Sequence, residues 1–137
     1  LSLLIEAFTD PGVTVASLMT RITEATMVLD ANIVKVITDI NDNAIYFSRS
    51  LIPYNRDNET AWQYWRHIGV YAYRKEALQH FVSLPPSPLE KIEKLEQLRL
   101  IENGISIRMI KTEYQGIGID TPADLIAIQQ YMQEKMI

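Results

Sequence analysis

The stretch NIVKVITDINDNAIYFSRS, residues 32–50, holds two β-rich runs, 34–38 and 44–47, separated by DINDN. Val, Ile, Tyr and Phe favour strands, and the Asp and Asn residues between the runs accept tight-turn geometry, so the spacing predicts a hairpin. Outward from this hairpin, strand and helix signals alternate. Upstream, LSLLIEAF (1–8) reads as the last turns of an amphipathic helix, Pro11-Gly12 marks a turn, and VTVASLMT (13–20) reads as a buried strand. RITEATMVLD (21–30) is ambiguous and helical in part. Downstream, a polar, aromatic-tipped loop (52–65) leads into RHIGVYAY (66–73), a third strand, and RKEALQHFVSL (74–84) is a short helix stopped by Pro85-Pro86.

Two further helices carry start signals. Ser87-Pro88-Leu89-Glu90 is a capping box with proline at the first helical position, opening a helix expected to run to about Glu102. Asn103-Gly104 then ends it with residues that accept left-handed geometry, and ISIRMIK (105–111) is another strand. In GIGIDTPADL (116–125), Ile117 and Ile119 alternate with glycines like the end of a short strand. Thr121, Pro122 and Asp124 form a second capping box that opens the closing helix. That start is satisfied without Asp120, which leaves a spare carboxylate at a strand-to-helix junction beside two glycines. Strands alternating with helices, with one hairpin inserted, predict a layered α/β fold.

The bulk numbers narrow the function. At 137 residues and 47% hydrophobic, the chain suffices for one domain or most of one. A net charge of −4 gives no nucleic-acid footprint, and no basic run suggests a membrane surface. No apolar stretch is long enough to span a bilayer. Zero cysteines exclude thiolate catalysis, and His67 and His80 are too few for a histidine-rich metal site. There is no Gly-rich phosphate loop, no Ser-His-Asp arrangement and no nucleic-acid module.

Three polar features break the local pattern. On the expected 87–102 helix, Glu96 shares an arc with Leu89, Ile92 and Leu100. It is either solvated at the core's edge, or paired with Arg99, or functional. On RHIGVYAY, alternation puts Ile68, Val70 and Ala72 on a core face and His67, Gly69, Tyr71 and Tyr73 on the other. That second face is either an ordinary solvent-facing side or a surface for a polar ligand. Arg49, between two serines, offers a fork of donors apt for a carboxylate or phosphate, or is one more surface arginine.

Taken together, NIVKVITD, AIYFSRSLIP, RHIGVYAYRKEAL, PPSPLEKIEKLEQLR and GIGIDTPADL resemble the C-terminal half of the 3-deoxy-manno-octulosonate (Kdo) cytidylyltransferase family, the CMP-Kdo synthetases. The resemblance runs in order through essentially the whole chain, residues 1–137. It implies a nucleotide-diphospho-sugar transferase fold, a mixed sheet flanked by helices. This chain would supply the sugar-binding and dimerisation portion of a single domain. The implied reaction is Mg²⁺-dependent attack of the anomeric hydroxyl of Kdo on the α-phosphate of CTP, in lipopolysaccharide biosynthesis. Asp120 matches the family's C-terminal metal-binding aspartate, and Arg49, His67, Tyr71, Glu96 and Gln97 match positions lining the Kdo pocket. Arg49 would face the sugar carboxylate and the others its hydroxyls. The resemblance further implies a cytoplasmic homodimer, paired around residues 32–53. The family's nucleotide-binding loop and GDEP-type aspartate, the second metal ligand, lie upstream of Leu1, so the chain reads as a fragment inactive alone. The loop between residues 56 and 66 is also shorter than the family's usual one. The alternatives are a cytidylyltransferase for a related acid sugar, such as 8-amino-Kdo or sialic acid, and a non-catalytic assembly module.

Overall fold

The run VASLMTR forms a strand because six of its seven residues are buried and two of them, Val15 and Met19, belong to the main core. The computed structural model describes residues 1–115 and 121–135. In chain order the elements are α1 (Ser2–Ala7), β1 (Val15–Arg21), α2 (Ala25–Leu29), β2 (Lys35–Thr38), β3 (Ala44–Ser48) and β4 (Trp65–Tyr73). There follow α3 (Lys75–Ser83), α4 (Pro88–Glu93), α5 (Leu98–Glu102), β5 (Arg108–Lys111) and α6 (Pro122–Lys135). The five strands make one sheet in the order β3-β2-β4-β1-β5. β1 runs antiparallel to β4 and parallel to β5, so the sheet is mixed, as the sequence led us to expect.

The hairpin forms where DINDN predicts it. The Asp39 carboxylate accepts the backbone N–H groups of Asn41 (2.8 Å) and Asn43 (2.9 Å), and Asp42 takes the left-handed conformation with φ 61°. Asp and Asn tolerate that conformation better than other side chains do. The hairpin is less exposed than the sequence suggests. At the start of β3, Asn43 bridges Arg108. Ala44 N–H donates to Ile107 O (2.9 Å) and Met109 N–H to Asp42 O (2.8 Å). The two edge strands therefore meet at one end. The sheet wraps a core that includes Met19, Phe47, Leu98, Leu100, Ile107 and Met109. Full burial of each large side chain contributes about 2 kcal/mol. On the opposite face, α1 covers a second cluster of Leu4, Val13, Ala16 and Leu18.

Two expectations fail for local reasons. In β4, Tyr71 stands opposite Ser17 and Ile68 opposite Leu18, which leaves Gly69 and Val70 without partners on β1. This bulge pushes Val70 out to 39% exposure instead of into the core. The expected helix from Ser87 to Glu102 is two helices. It breaks at Lys94, which adopts φ 57°, ψ 46°, and Leu95 N–H folds back onto Glu90 O (3.2 Å). The break turns Leu95, Leu98 and Leu100 into the core and leaves Ile92 79% exposed, so the proposed arc of Leu89, Ile92, Glu96 and Leu100 does not exist. Neither Gly nor Pro marks the break, so the sequence gives no local signal for it. The capping box does form: Ser87 N–H donates to Glu90 Oε2 at 2.9 Å.

Candidate active site

A cleft of about 900 Å³ opens between β4, the segment before β2, the α4–α5 junction and the start of α6. His67 and Tyr71 of β4, Gln97, Thr121 and Asp124 are on its wall. Of the residues picked out from sequence, His67, Tyr71 and Gln97 come together here. A second cavity of about 240 Å³, inside the loop of residues 53–62, contains none of them.

The bulge in β4 shapes the cleft's floor. It keeps His67 and Tyr71 on the main-core face, with the imidazole edge-on to Phe47 (4.9 Å) and to Tyr71 (5.5 Å). Tyr71 in turn stacks on Tyr73 at 5.9 Å. His67 Nε2 lies 2.8 Å from the buried Ser17 hydroxyl, and Nδ1 lies 3.4 Å from the Gln97 carboxamide nitrogen. Burial pushes the His67 pKa down to about 4, so the imidazole is neutral near pH 7. Burial, with the neighbouring Tyr73 and Glu96, raises the Tyr71 phenol far above its ordinary value and keeps its proton on. The floor is thus polar, uncharged and held in place.

Arg49 and Glu96 sit apart from it. The Arg49 side chain is spent largely on backbone, Nε donating to Glu93 O (2.8 Å) and Nη1 to Ala31 O (3.0 Å). Glu96 is exposed beside the buried Gln97, and neither it nor Arg49 is among the residues on the cleft wall. Arg99, the partner considered for Glu96, instead forks onto Glu90. At the mouth, Thr121 N–H and hydroxyl both donate to Asp124 Oδ2 (2.8 Å each), and Asp124 N–H returns a bond to Thr121 Oγ1 (3.2 Å). The capping box read from sequence is therefore complete without Asp120. Asp120 itself lies outside the described residues, as does the short strand end expected at Ile117 and Ile119. Among the described residues, no three His, Cys, Asp or Glu side chains converge into a metal site.

Sequence reasoning missed two residues that organise this region. Ser17 is fully buried on β1 beneath His67, a hydroxyl flanked by Ala16 and Leu18. Lys35, also fully buried, donates from Nζ to Asp30 O (2.9 Å), Ile33 O and Arg49 O (2.6 Å each). These bonds pin the cleft-lining segment before β2 to the end of β3. The available signal was the same in both: one polar residue within a strand-forming stretch.

The sequence model of the family described as "Cytidylyltransferase" matches residues 1–108. The chain belongs to the cytidylyltransferase family. This chain is 48% identical over 133 residues to the 3-deoxy-manno-octulosonate cytidylyltransferase of Lawsonia intracellularis, covering 97% of this chain and 52% of that protein. It is 53% identical over 104 residues to the enzyme of the same name from Chlorobium limicola, covering 76% of this chain and 42% of that one. The solved structure of CMP:2-keto-3-deoxy-manno-octonic acid synthetase complexed with CTP superimposes with a TM-score of 0.87 at 42% identity, over 98% of this chain and 55% of that one. The chain spans about half the length of the curated relatives it matches. Among the described residues, no helix is long and apolar enough to cross a membrane.

Proposed function

We propose that this chain is the sugar-binding and dimerisation portion of a 3-deoxy-manno-octulosonate cytidylyltransferase, which activates Kdo with CTP for lipopolysaccharide biosynthesis in the cytoplasm. The observation that carries the reading is the uncharged polar floor of His67, Gln97 and Tyr71, in a chain of the cytidylyltransferase family. Neutral donors and acceptors suit a polyhydroxylated substrate, since they exchange hydrogen bonds with hydroxyls without burying a net charge.

In the reaction the anomeric hydroxyl oxygen attacks the α-phosphorus of CTP. The bond from the α-phosphorus to the pyrophosphate oxygen breaks, the hydroxyl proton passes to solvent, and CMP-Kdo and pyrophosphate result. Tyr71 keeps its proton and makes an O–H hydrogen bond to a sugar oxygen, while Gln97, held by His67, orients the hydroxyls. Arg49 and Glu96, which lie off the cleft wall, are assigned to the sugar carboxylate and to a hydroxyl by the family resemblance alone, Arg49 with Nε and Nη1 already given to carbonyls. Asp120 would hold Mg²⁺: its carboxylate is the donor type a hard cation takes, and the cap of α6 does not need it. Bound there, Mg²⁺ supplies positive charge that offsets the phosphates'.

Kinetics of Glu96→Ala and His67→Ala in the complete enzyme test the reading. Glu96→Ala removes a partner from the sugar and His67→Ala frees the Gln97 carboxamide that faces it, so KM for Kdo should rise while KM for CTP stays near its original value. A rise confined to CTP would sink the assignment of these residues to the sugar pocket.

A further inference from the structure

Ser17 sits where three acceptors or potential acceptors converge. Its Oγ lies 2.9 Å from Val70 O, 3.2 Å from Ile68 O and 2.8 Å from His67 Nε2. A hydroxyl has one proton, and a carbonyl oxygen can only accept. If that proton went to the imidazole, Ser17 Oγ would present lone pairs to two carbonyl oxygens at hydrogen-bond distance, with nothing between them but repulsion. The arrangement is consistent only if Ser17 donates to the carbonyls of the β4 bulge and accepts from His67.

We infer that Ser17 is a positioning residue that fixes His67 as the Nε2–H tautomer and, through it, the orientation of the Gln97 carboxamide in the cleft. With Nε2 protonated, His67 Nδ1 carries a lone pair and faces the nitrogen end of the Gln97 side chain at 3.4 Å. Gln97 therefore turns its NH₂ to the histidine, and its Oε1 is the end left for a ligand. An acceptor at that position selects a ligand group that donates, such as a sugar hydroxyl, over one that only accepts. The opposite tautomer would place Nδ1–H against Gln97 and demand the reverse amide orientation, presenting NH₂ groups to the ligand. Ser17 is fully buried on β1 and does not line the cleft, so it acts only through its neighbours. The bulge supplies the carbonyls that decide where its proton goes. The identity of the ligand rests on the function proposed above, but the tautomer does not.

Two-bond ¹H–¹⁵N correlation spectra of the ¹⁵N-labelled protein near pH 7.5 read the tautomer with no substrate present. His67 should show the single pattern of a neutral Nε2–H imidazole, and Gln97→Ala should preserve it, because Ser17 alone sets it. Ser17→Ala should lose that single pattern and give averaged nitrogen shifts from a mixture of tautomers. An Nδ1–H pattern in the unsubstituted protein overturns the inference, and that measurement needs no variant to fold. An unchanged Nε2–H pattern in Ser17→Ala, or its loss in Gln97→Ala, overturns it equally. Each outcome is independent of whether the enzyme uses Kdo.

Discussion

Arg99 lays both arms of its guanidinium on Glu90 across the helix break, Nε donating to Oε2 at 2.8 Å and a terminal nitrogen to Oε1. The same carboxylate also accepts Ser87 N–H, so one side chain caps α4 and ties it to α5. Arg99 further lies over the Phe81 ring at 4.9 Å, which brings α3 into the same cluster. The hydrogen bonds from Arg99, with those from Ser87, hold the Glu90 pKa down at about 2. A carboxyl with a depressed folded pKa stabilises the fold above its unfolded value. That contribution is lost as pH falls from about 4.5 towards about 2. Glu90→Gln should therefore melt earlier than the unsubstituted protein at pH 7, by roughly 5 °C, and the gap should close in acid. Calorimetry at a series of pH values checks both statements.

His67 acts in a different window and with the opposite chemistry. It is a base whose folded pKa is lowered from 6.5 to about 4 by burial, so the folded state resists the proton that the unfolded chain takes up. Its neutral form costs the fold nothing above about pH 6.5, and stability falls between there and pH 4 by up to about 3 kcal/mol. His67→Gln removes this titration. Denaturant midpoints should show a shallower loss between pH 7 and 5 in the variant than in the unsubstituted protein. Parallel slopes would count against a buried neutral imidazole.

Lys35→Met keeps the length of the side chain and removes the ammonium. Three backbone carbonyls, those of Asp30, Ile33 and Arg49, then lose their donor inside the protein. The expected loss is about 2–4 kcal/mol, read from chemical denaturation. A variant of unchanged stability would mean that water replaces the ammonium at no cost.

Asp120→Asn separates a metal ligand from a helix-start charge. Because Thr121 and Asp124 complete the cap between themselves, stability should change by no more than about 1 kcal/mol. Turnover of the complete enzyme should fall steeply and recover in part with raised Mg²⁺ or with Mn²⁺, since the amide lacks the negative charge a hard cation prefers. Melting temperature and metal-dependent turnover, measured side by side, decide the matter. A destabilised but active variant would refute the metal role.

The proposed homodimer has a surface to test on the hairpin, where Ile45 of β3 is exposed. If residues 32–53 form the interface, Ile45→Asp should shift sedimentation at tens of micromolar (a rough assembly scale) from dimer to monomer. A stable monomer without any substitution would rule the interface out.

What could be read from the sequence depended on how local the cause was. The DINDN turn, both capping boxes and the Asn103-Gly104 stop, with φ 71° at Gly104, are written in neighbouring residues, and each forms as expected. The break at Lys94 and the bulge at Gly69 and Val70 are imposed from a distance, by Leu95, Leu98 and Leu100 seeking the core and by the pairing of β4 with β1. A periodicity argument extends each element straight through such a point. The site divides in the same way. His67 and Tyr71 stood out as polar residues on a strand with a core face and Gln97 entered only through the family resemblance, whereas Ser17 and Lys35 drew no notice because the strands around them looked complete.

The bridge between Asn43 and Arg108 joins chain positions 65 residues apart, and the Arg108 Nε–H that donates to Asn43 Oδ1 (3.1 Å) adds a second link at the same place. β1 likewise waits for its parallel neighbour β5, which comes some ninety residues later in the chain. During synthesis the hairpin would therefore emerge with one edge bare and stay so until the segment around Arg108 has left the ribosome. At about 5–20 residues per second that interval lasts several seconds, long enough for an unpaired strand to find a wrong partner. Substitutions near Asn43 or Arg108 should accordingly lower the yield of soluble protein more than they lower the melting temperature of the molecules that do fold.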